Sequence, residues 1–268
     1  MQQPWDSAFP LIKGQGYVGI ETSVPDTNHH AQFEKLLHAS SLSYIAQIYT
    51  DGQSLKEHTE SFQRVIDSAL PLSPVLINCH AGSDSFSEIE AMSFFDMALR
   101  ICERVNVPVA FETHRSRILF NPWITRRLIA EFPTLQLCAD YSHWVCVCER
   151  LLDEADELFL ACAKRVIHIH ARVGYEQGPQ VSDPRAPEFA AAVARHEEWW
   201  RMIWSVQLRR ELPHSTMVPE FGPPNYLQTQ PHSRIPLANL EEICLWQANR
   251  QRAHFKNFLS QSSHDRSG

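Results

Sequence analysis

The sequence lacks low-complexity tracts and any apolar stretch of membrane-spanning length, which argues against a disordered chain and a membrane protein. Positive charge is also scarce, since 24 lysines and arginines stand against 31 aspartates and glutamates, a net charge of -7. Phosphate backbones require a cationic surface, so we expect no nucleic-acid partner. Residues 1–10 lack the basic start and apolar run of a signal peptide, so we expect the cytoplasm.

Paired cysteines at the spacing of a zinc site are absent as well. Cys146 and Cys148 are close in sequence, but no second pair completes a zinc ribbon. Most of the seven cysteines lie in apolar runs, which indicates reduced thiols in a core. Glycine-rich phosphate loops are also missing: Gly14 and Gly16 precede a predicted strand instead of following one, which weakens a dinucleotide-binding fold.

What the sequence does contain is an alternation of short strand patterns with longer helical ones. β-branched and aromatic runs predict strands at residues 16–24, 42–49, 74–80, 108–114, 135–141, 165–171 and 216–221. Amphipathic patterns predict helices at residues 5–13, 32–38, 55–70, 89–105, 121–132, 148–164, 188–211 and 240–259. Ser85 and Glu88 have capping-box spacing before the fourth helix, and Asn121-Pro122 supplies the start of the fifth.

This alternation predicts a parallel sheet, and the missing phosphate loop favours a closed barrel over an open sheet. We therefore predict the α/β class, a (β/α)8 TIM barrel, as one domain over residues 1–268 with a disordered tail from about residue 261 to 268. Such a barrel needs eight strands. The sequence offers seven, with a helix before the first. The first strand is either missing or rebuilt from the residues before Trp5.

Polar residues recur where the predicted strands end, which is where TIM barrels place their reacting groups. They are Glu21, Gln47, His80, Glu112, His114, Asp140, His143, His168, His170 and Glu220. Taken singly, these residues have simpler explanations. Glu112 could pair with Arg115, and Asp140 could cap a helix. His168 or His170 could be a core residue. Recurrence in consecutive units instead indicates a shared metal ion, which offsets the cost of burying several charges.

These motifs resemble those of the xylose isomerase-like TIM-barrel superfamily. The resemblance rests on Phe111-Glu112-Thr113-His114, Ala139-Asp140-Tyr141-Ser142-His143, His168-Ile169-His170 and Pro219-Glu220-Phe221-Gly222. It covers nearly the whole chain if the first strand of the family is absent. The group includes sugar-phosphate isomerases and epimerases, hydroxypyruvate isomerases, inosose dehydratases and DNA repair endonucleases, so the motifs do not define a substrate.

The resemblance implies roles for individual residues. The metal ligands fall on Glu112, Asp140, His170 and Glu220, and His143 becomes a substrate contact. His168 is left for a supporting or substrate role. The remaining substrate-binding residues that we expect are His80, Arg172, Glu21 and His114. Ketose epimerases usually place an arginine several residues beyond the histidine, whereas here Arg172 follows His170 after a single alanine.

Three carboxylates and one imidazole suit one divalent ion, with Mn²⁺, Mg²⁺ or Co²⁺ favoured and Zn²⁺ still open. A negative site favours a neutral sugar or polyol as the substrate. We predict an isomerase or epimerase in which Glu112 and Glu220 move a proton next to a metal-bound carbonyl. An inosose-dehydratase-like lyase is the main alternative; an AP-endonuclease-like nuclease and a non-catalytic sugar-binding barrel rank below it. Homo-oligomerisation stays open, and residues 171–185 form either a lid or a surface loop.

Overall fold

A computed structural model describes residues 4–265 of the chain, with side chains described as far as residue 262. Seven strands lie in this range: β1 Gly19–Ser23, β2 Ser43–Tyr49, β3 Leu76–His80, β4 Val109–Glu112, β5 Leu137–Ala139, β6 Val166–His170 and β7 Thr216–Val218. The α-helices of this range are α1 Trp5–Gly14, α2 His30–Ser40, α3 Leu55–Ala69, α4 Glu88–Cys102, α5 Pro122–Glu131, α6 Ser142–Cys148, α7 Asp156–Ala163, α8 Ala190–Arg209 and α9 Leu240–Asp265.

The strand prediction is confirmed, because each of the seven predicted segments contains one observed strand. The chain has the α/β class and the strand order β1 to β7 of a TIM barrel that lacks one strand among the described residues. A first strand built before Trp5 would fall mainly on residues 1–3, which lie outside the described range. Helix α1 stands immediately before β1 instead.

Two helix predictions are wrong. Residues 148–164 do not form one helix, because α6 starts at Ser142 and ends where Glu149 adopts a left-handed φ of 51°. Helix α7 then begins only at Asp156. The capping box of α4 is also two residues later than predicted, since it pairs Ser87 with Glu90.

Asn121 caps α5 as predicted, because its Oδ1 accepts a hydrogen bond from the backbone N–H of Ile124 at 3.0 Å. The seven cysteines are also free, as the sequence indicates. Cys162 is fully buried, and its removal from water raises the pKa of its thiol to about 12. None of the described helices is both long enough and apolar enough to cross a membrane.

The chain divides into two compact units. The first comprises the residues up to Phe120 together with Arg127–Cys138, and the second comprises Asn121–Arg126 together with the residues from Ala139 onward. In the first unit, β1 to β5 pair in chain order and all in parallel. In the second unit, β6 pairs in parallel with β7, and His170 lies opposite Val218. The single barrel domain predicted from the sequence stays a prediction.

Aromatic side chains form the core of the first unit. Phe62, Phe94, Phe95 and Phe111 are all fully buried, and the ring of Phe95 lies edge-on to that of Phe111 at 5.2 Å between centroids. Helix α1 packs on α2 through Phe33, whose ring lies 5.7 Å from that of Phe9. This core supports β2, β3 and β4. Successive residues of these strands point to opposite faces of the sheet, and most of them are buried on either face.

The second unit has its own aromatic core. Phe159 of α7 stacks on Trp199 of α8 at 4.3 Å between ring centroids, and Tyr141 stacks on Trp144 at 4.8 Å. All four rings are at most 1% exposed. Residues 261–265 belong to α9, whereas the rest of the tail predicted to be disordered, residues 266–268, lies outside the described residues.

Candidate metal site

The second unit brings together three of the four predicted metal ligands. Asp140 follows β5, His170 ends β6 and Glu220 follows β7, and one potential ligand atom of each lies within 4.8 Å of the other two. His170 Nδ1 and Glu220 Oε2 are 2.5 Å apart. Asp140 and His170 are buried, whereas the Glu220 side chain is 24% exposed. Glu220 is therefore the donor of the three that solvent and a substrate can reach.

Arg172 lies between the two carboxylates of this group. Its Nε donates to Asp140 Oδ2 at 3.1 Å, and its Nη2 donates to Glu220 Oε1. The side chain is only 3% exposed, so the guanidinium and its ion pair with the buried Asp140 are shielded from water. The sequence prediction placed Arg172 among the substrate contacts, and the structure adds that it neutralises charge on two predicted metal ligands.

Gln180, which is not among the residues that the sequence predicts for the site, also belongs to this group. Its Oε1 accepts from Arg172 Nη1 at 3.2 Å and from the Gly222 backbone N–H at 2.7 Å. Its Nε2 donates to the Gly222 carbonyl at 3.0 Å. The buried amide thus fixes the segment that carries Glu220, two residues before Gly222. No local sequence signal marks Gln180, because its partners lie 8 and 42 residues away.

The two oxygens of Asp140 have different surroundings. Its Oδ1 accepts from the Ser142 backbone N–H at 3.2 Å and from the Ser142 hydroxyl, so it binds the first residue of α6, although the N-cap residue of that helix is Tyr141. Its Oδ2 faces Arg172 and also His143, whose Nε2 lies 3.4 Å away. One oxygen therefore orients the side chain through Ser142, and the other is directed at the cluster.

The two histidines of β6 have separate neighbours. His168 Nδ1 lies 2.8 Å from the hydroxyl of Thr216 on β7, whereas His170 faces Glu220. Their ring centroids are 5.1 Å apart. Both rings are buried on the same face of the strand, as their alternation predicts. A substrate role for His168 stays a prediction.

Glu112, the fourth predicted ligand, lies in a second polar cluster within the first unit. Its Oε2 accepts from Asn78 Nδ2 at 2.6 Å and lies 2.8 Å from His80 Nε2. Asn78 Nδ2 also donates to Glu21 Oε1 at 2.9 Å, so Glu21 and Glu112 share one amide. Glu112 and His80 are buried. Asn78 was absent from the sequence prediction, although its place two residues before His80 on β3 put it on the same strand face.

Gln47 and His114 complete this first-unit cluster. Gln47 Nε2 is 3.3 Å from His80 Nε2, and the ring of His114 lies 4.6 Å from that of His80. Potential ligand atoms of His80, Glu112 and His114 also lie within 4.8 Å of one another. The predicted substrate-binding residues Glu21, His80 and His114 are thus gathered around Glu112.

The donor chemistry of the second unit fits a divalent ion. Two carboxylates and an imidazole are ligands that Mg²⁺, Mn²⁺, Co²⁺ and Zn²⁺ all accept. Asp140, His170 and Glu220 would hold the ion there. Glu112 belongs to the first unit, and its role as a fourth ligand stays a prediction.

The segment after β6 is neither an open loop nor wholly at the surface. Arg172, Val173, Gln180 and Val181 are all buried, and the Val181 N–H donates to the Val173 carbonyl at 2.9 Å. Its tip is a tight turn in which Tyr175 and Gly178 exchange backbone hydrogen bonds at 2.9 and 3.0 Å. The buried base of this segment contradicts a plain surface loop, and its function as a lid stays a prediction.

His196 of α8 anchors the same segment. Its Nε2 accepts from the Gly174 N–H at 3.3 Å, so the neutral ring carries its proton on Nδ1 and donates it to the Ala192 carbonyl at 2.8 Å. Burial lowers the pKa of His196 from 6.5 to about 4. The ring is therefore neutral near pH 7 and holds Gly174, two residues beyond Arg172, in place.

Comparison with known proteins gives matches among solved structures only. No protein-family profile and no curated protein matches the sequence. An AP endonuclease, family 2, from Brucella melitensis matches with a TM-score of 0.61 at 13% identity, covering 92% of this chain and 94% of that one. The probable 3-DHS dehydratase AsbF from Bacillus anthracis matches with a TM-score of 0.57 at 17% identity, covering 84% and 90%.

A sugar phosphate isomerase/epimerase from Parabacteroides distasonis matches with a TM-score of 0.53 at 9% identity, covering 86% of this chain and 82% of that one. At these identities the likeness is one of fold, because unrelated chemistries share a TIM barrel. The chain therefore shares the TIM-barrel fold of these solved structures, which is the fold class that its sequence predicts.

Proposed function

We propose that the chain is a divalent-metal-dependent isomerase or epimerase that acts on a sugar or related keto-polyol. The observation that carries this proposal is the convergence of Asp140, His170 and Glu220 at the ends of β5, β6 and β7. Structural ion pairs alone would not require an imidazole and two carboxylates within 4.8 Å. A bound ion would act as a Lewis acid on the substrate carbonyl, which acidifies the adjacent C–H bond.

Glu220 is the group that we propose to exchange a proton with the substrate. Asp140 and His170 are almost fully buried, but the Glu220 side chain is 24% exposed and can reach a bound molecule. The Gln180 amide hydrogen-bonds to both the N–H and the carbonyl of Gly222, which fixes the backbone two residues beyond Glu220. A positioned carboxylate is an ordinary general base, and its placement reduces the entropy lost in the transition state.

Glu112 is proposed as the second proton-transfer group, as the sequence predicts. Asn78 and His80 both contact its Oε2, which fixes the orientation of the carboxylate. His80 can also exchange a proton with it, because the two groups are 2.8 Å apart. Two glutamates that act in turn would let one remove the substrate proton and the other return it, which is what inversion of a carbon centre requires.

A lyase that eliminates water is the second candidate. The specific observation in its favour is the shared fold of the probable 3-DHS dehydratase from Bacillus anthracis. The same metal and glutamate would remove the proton, and loss of a β-hydroxyl would replace reprotonation. The nuclease alternative has the same kind of support, a fold shared with the AP endonuclease from Brucella melitensis, but the net charge of -7 disfavours a nucleic-acid substrate. The sugar-binding alternative rests on the fold alone. A cytoplasmic location also stays a prediction.

Solvent exchange tests this proposal. The protein with Mg²⁺ or Mn²⁺ is incubated in deuterated water with a panel of ketoses and keto-inositols, and the small molecules are analysed by NMR after the metal and protein are removed. We expect isomerised or epimerised product that carries deuterium. Glu112→Gln and Glu220→Gln should each reduce net turnover by about 10²–10⁴-fold, because glutamine cannot accept a proton at neutral pH. One of the two variants should still exchange deuterium without inversion.

Glu60→Gln is the matched control, because Glu60 is an exposed glutamate that pairs with Lys56 on α3. Its turnover should equal that of the wild type. Full turnover in both Glu112→Gln and Glu220→Gln would contradict the proposed mechanism. A dehydrated product from the wild type would establish the lyase instead.

A further inference from the structure

We infer that Arg172 is a built-in counter-cation that competes with the divalent ion for Asp140 and Glu220. This inference rests on the proposed metal site. The guanidinium contacts Asp140 Oδ2 at 3.1 Å and Glu220 Oε1, so it occupies one oxygen of each of the two carboxylates that would hold the ion. We expect this cation to give up at least one of these contacts when the ion arrives, because two positive charges at the same pair of carboxylates repel each other. Metal binding is therefore an exchange of cations.

The guanidinium has partners that remain after such an exchange. Gln180 Oε1 accepts from Arg172 Nη1 at 3.2 Å, and the Arg172 Cζ atom lies 4.4 Å from the centre of the Tyr226 ring. An amide oxygen and an aromatic face both stabilise a buried guanidinium without carrying a charge. Arg172 can thus withdraw from the carboxylates and stay buried, which a guanidinium held by acidic groups alone could not do.

Charge makes this competition effective. Asp140 and Glu220 carry two negative charges and Arg172 carries one positive charge, so the described group has a net charge of -1 while His170 is neutral. Without Arg172 the same donors would carry -2 and attract a dication more strongly. Arginine also stays protonated at every physiological pH, so acid or base cannot remove the competitor. We expect the wild-type protein to bind the ion more weakly than its ligands alone would permit.

The segment that carries Arg172 is fixed, which keeps the competitor at the site. A Cβ atom on Gly174 would lie 2.6 Å from the Ser142 carbonyl oxygen, so the backbone of this segment lies directly against the residue that orients Asp140. His196 binds the Gly174 N–H at 3.3 Å. The withdrawal of Arg172 is therefore a change of side-chain rotamer on a fixed backbone.

Metal affinity measured by calorimetry tests the inference. Mn²⁺ is titrated into wild type, Arg172→Met, Arg172→Lys and Asp140→Asn, and circular dichroism checks that each is folded. We expect Arg172→Met to bind Mn²⁺ about tenfold more tightly or better, and Arg172→Lys to stay near wild type because it retains the charge. Asp140→Asn should bind at least about tenfold more weakly, because it loses a ligand. Arg250→Met, which removes an arginine paired with Glu197, should not change the affinity.

A second measurement is made on the unmodified chain, and a folded variant is needed only to assign the resonance. The Nε–H resonance of Arg172, assigned with Arg172→Lys, should shift when Mg²⁺ is added to isotope-labelled protein. The Arg250 resonance should stay in place.

The outcomes separate this inference from the proposed function. If Asp140→Asn weakens Mn²⁺ binding while Arg172→Met binds no more tightly than wild type, Arg172 is not a competitor and the metal site stands. An unchanged Arg172 resonance at saturating Mg²⁺ would overturn the inference in the same way. If neither wild type nor Arg172→Met binds Mn²⁺, the proposed metal site fails and the inference with it. Binding only in Arg172→Met would support strong competition.

Discussion

At the scale of single residues, the second-unit site depends on how closely two backbones approach each other. Gly174 lies so near Ser142 that a methyl group there would stand 2.6 Å from a carbonyl oxygen and 2.9 Å from a Cα atom. Both are backbone atoms, which cannot rotate away as a flexible side chain could. Ser142 in turn orients Asp140, and Gly174 is two residues from Arg172.

We therefore expect Gly174→Ala to lower the free energy of unfolding by about 1–3 kcal/mol, as overpacking of a dense interior usually does. Urea denaturation measures this change. Gly14→Ala is the control, because no atom lies within 4 Å of its added Cβ and Gly14 ends helix α1. There alanine should be neutral or stabilise the protein by up to about 1 kcal/mol. Equal stabilities for the two variants would show that the Gly174 contact is not tight.

At the scale of the elements, the start of α4 tests whether the N-cap residue is Ser85, as the sequence spacing predicts, or Ser87, as in the structure. Ser87 Oγ accepts from the Glu90 N–H at 3.3 Å, and Glu90 Oε2 accepts from the Ser87 N–H at 2.9 Å. Ser85 lies two residues earlier and contacts the hydroxyl of Ser83 instead. The two serines are alike in sequence, but only Ser87 is the N-cap of the helix.

Ser87→Ala should reduce the free energy of unfolding by about 1 kcal/mol, because a helix N-terminal N–H loses its acceptor. Ser85→Ala should change it by less than about 0.5 kcal/mol, as surface substitutions generally do. Thermal or urea unfolding of both variants, measured side by side, checks this. A larger loss in Ser85→Ala would mean that the helix begins where the sequence spacing placed it.

Helix α8 should make stability depend on pH through His196. The pKa of this buried ring is lowered from 6.5 to about 4, so the unfolded chain takes up a proton before the folded chain as the pH falls. The free energy of unfolding should therefore decline between about pH 6.5 and pH 4, by about 3 kcal/mol in total from this group. Above pH 6.5 the contribution of His196 is complete and does not change with pH.

Urea denaturation at a series of pH values in wild type and His196→Gln isolates this effect. The difference in stability between the two proteins should shrink as the pH falls through that range, because glutamine has no proton to gain. A constant difference from pH 7 to pH 4 would show that protonation of His196 does not destabilise the fold.

At the scale of the whole molecule, the fold should not depend on a metal ion. Each unit has its own aromatic core, with Phe111 fully buried in the first and Trp199 fully buried in the second. A large apolar core stabilises a domain of this size without metal, unlike a small zinc domain. Removal of the ion should only remove its binding free energy.

We expect a chelator to abolish activity while far-UV circular dichroism retains most of its helical signal. The midpoint of thermal unfolding should fall by a few degrees and rise again when Mn²⁺ is restored, because the ion binds only the folded chain. Loss of the helical signal upon chelation would instead make the site structural, and the proposed mechanism would lose its basis.

The sequence by itself determined the strand–helix order and the set of chemical groups. Buried parallel strands need continuous apolar runs, so β3 and β6 could be recognised from local composition alone. Polar residues that interrupt such runs are equally visible, and the prediction therefore contained Asp140, His170 and Glu220 before their geometry was known. A local sequence pattern is sufficient to predict a structural feature when the residues that form the feature are the same few residues that make up the pattern.

Only the tertiary structure decided how these groups pair. Arg172 was visible in the sequence, but its contacts with Asp140 and Glu220 join residues 32 and 48 positions apart. Gln180 was missed for the same reason, and the end of α6 was missed because nothing local shows that Glu149 adopts a positive φ. The charge of the site depends on these distant contacts. The predicted ligand set of three carboxylates and one imidazole implies a negative site, whereas the fold brings a buried guanidinium onto two of its carboxylates.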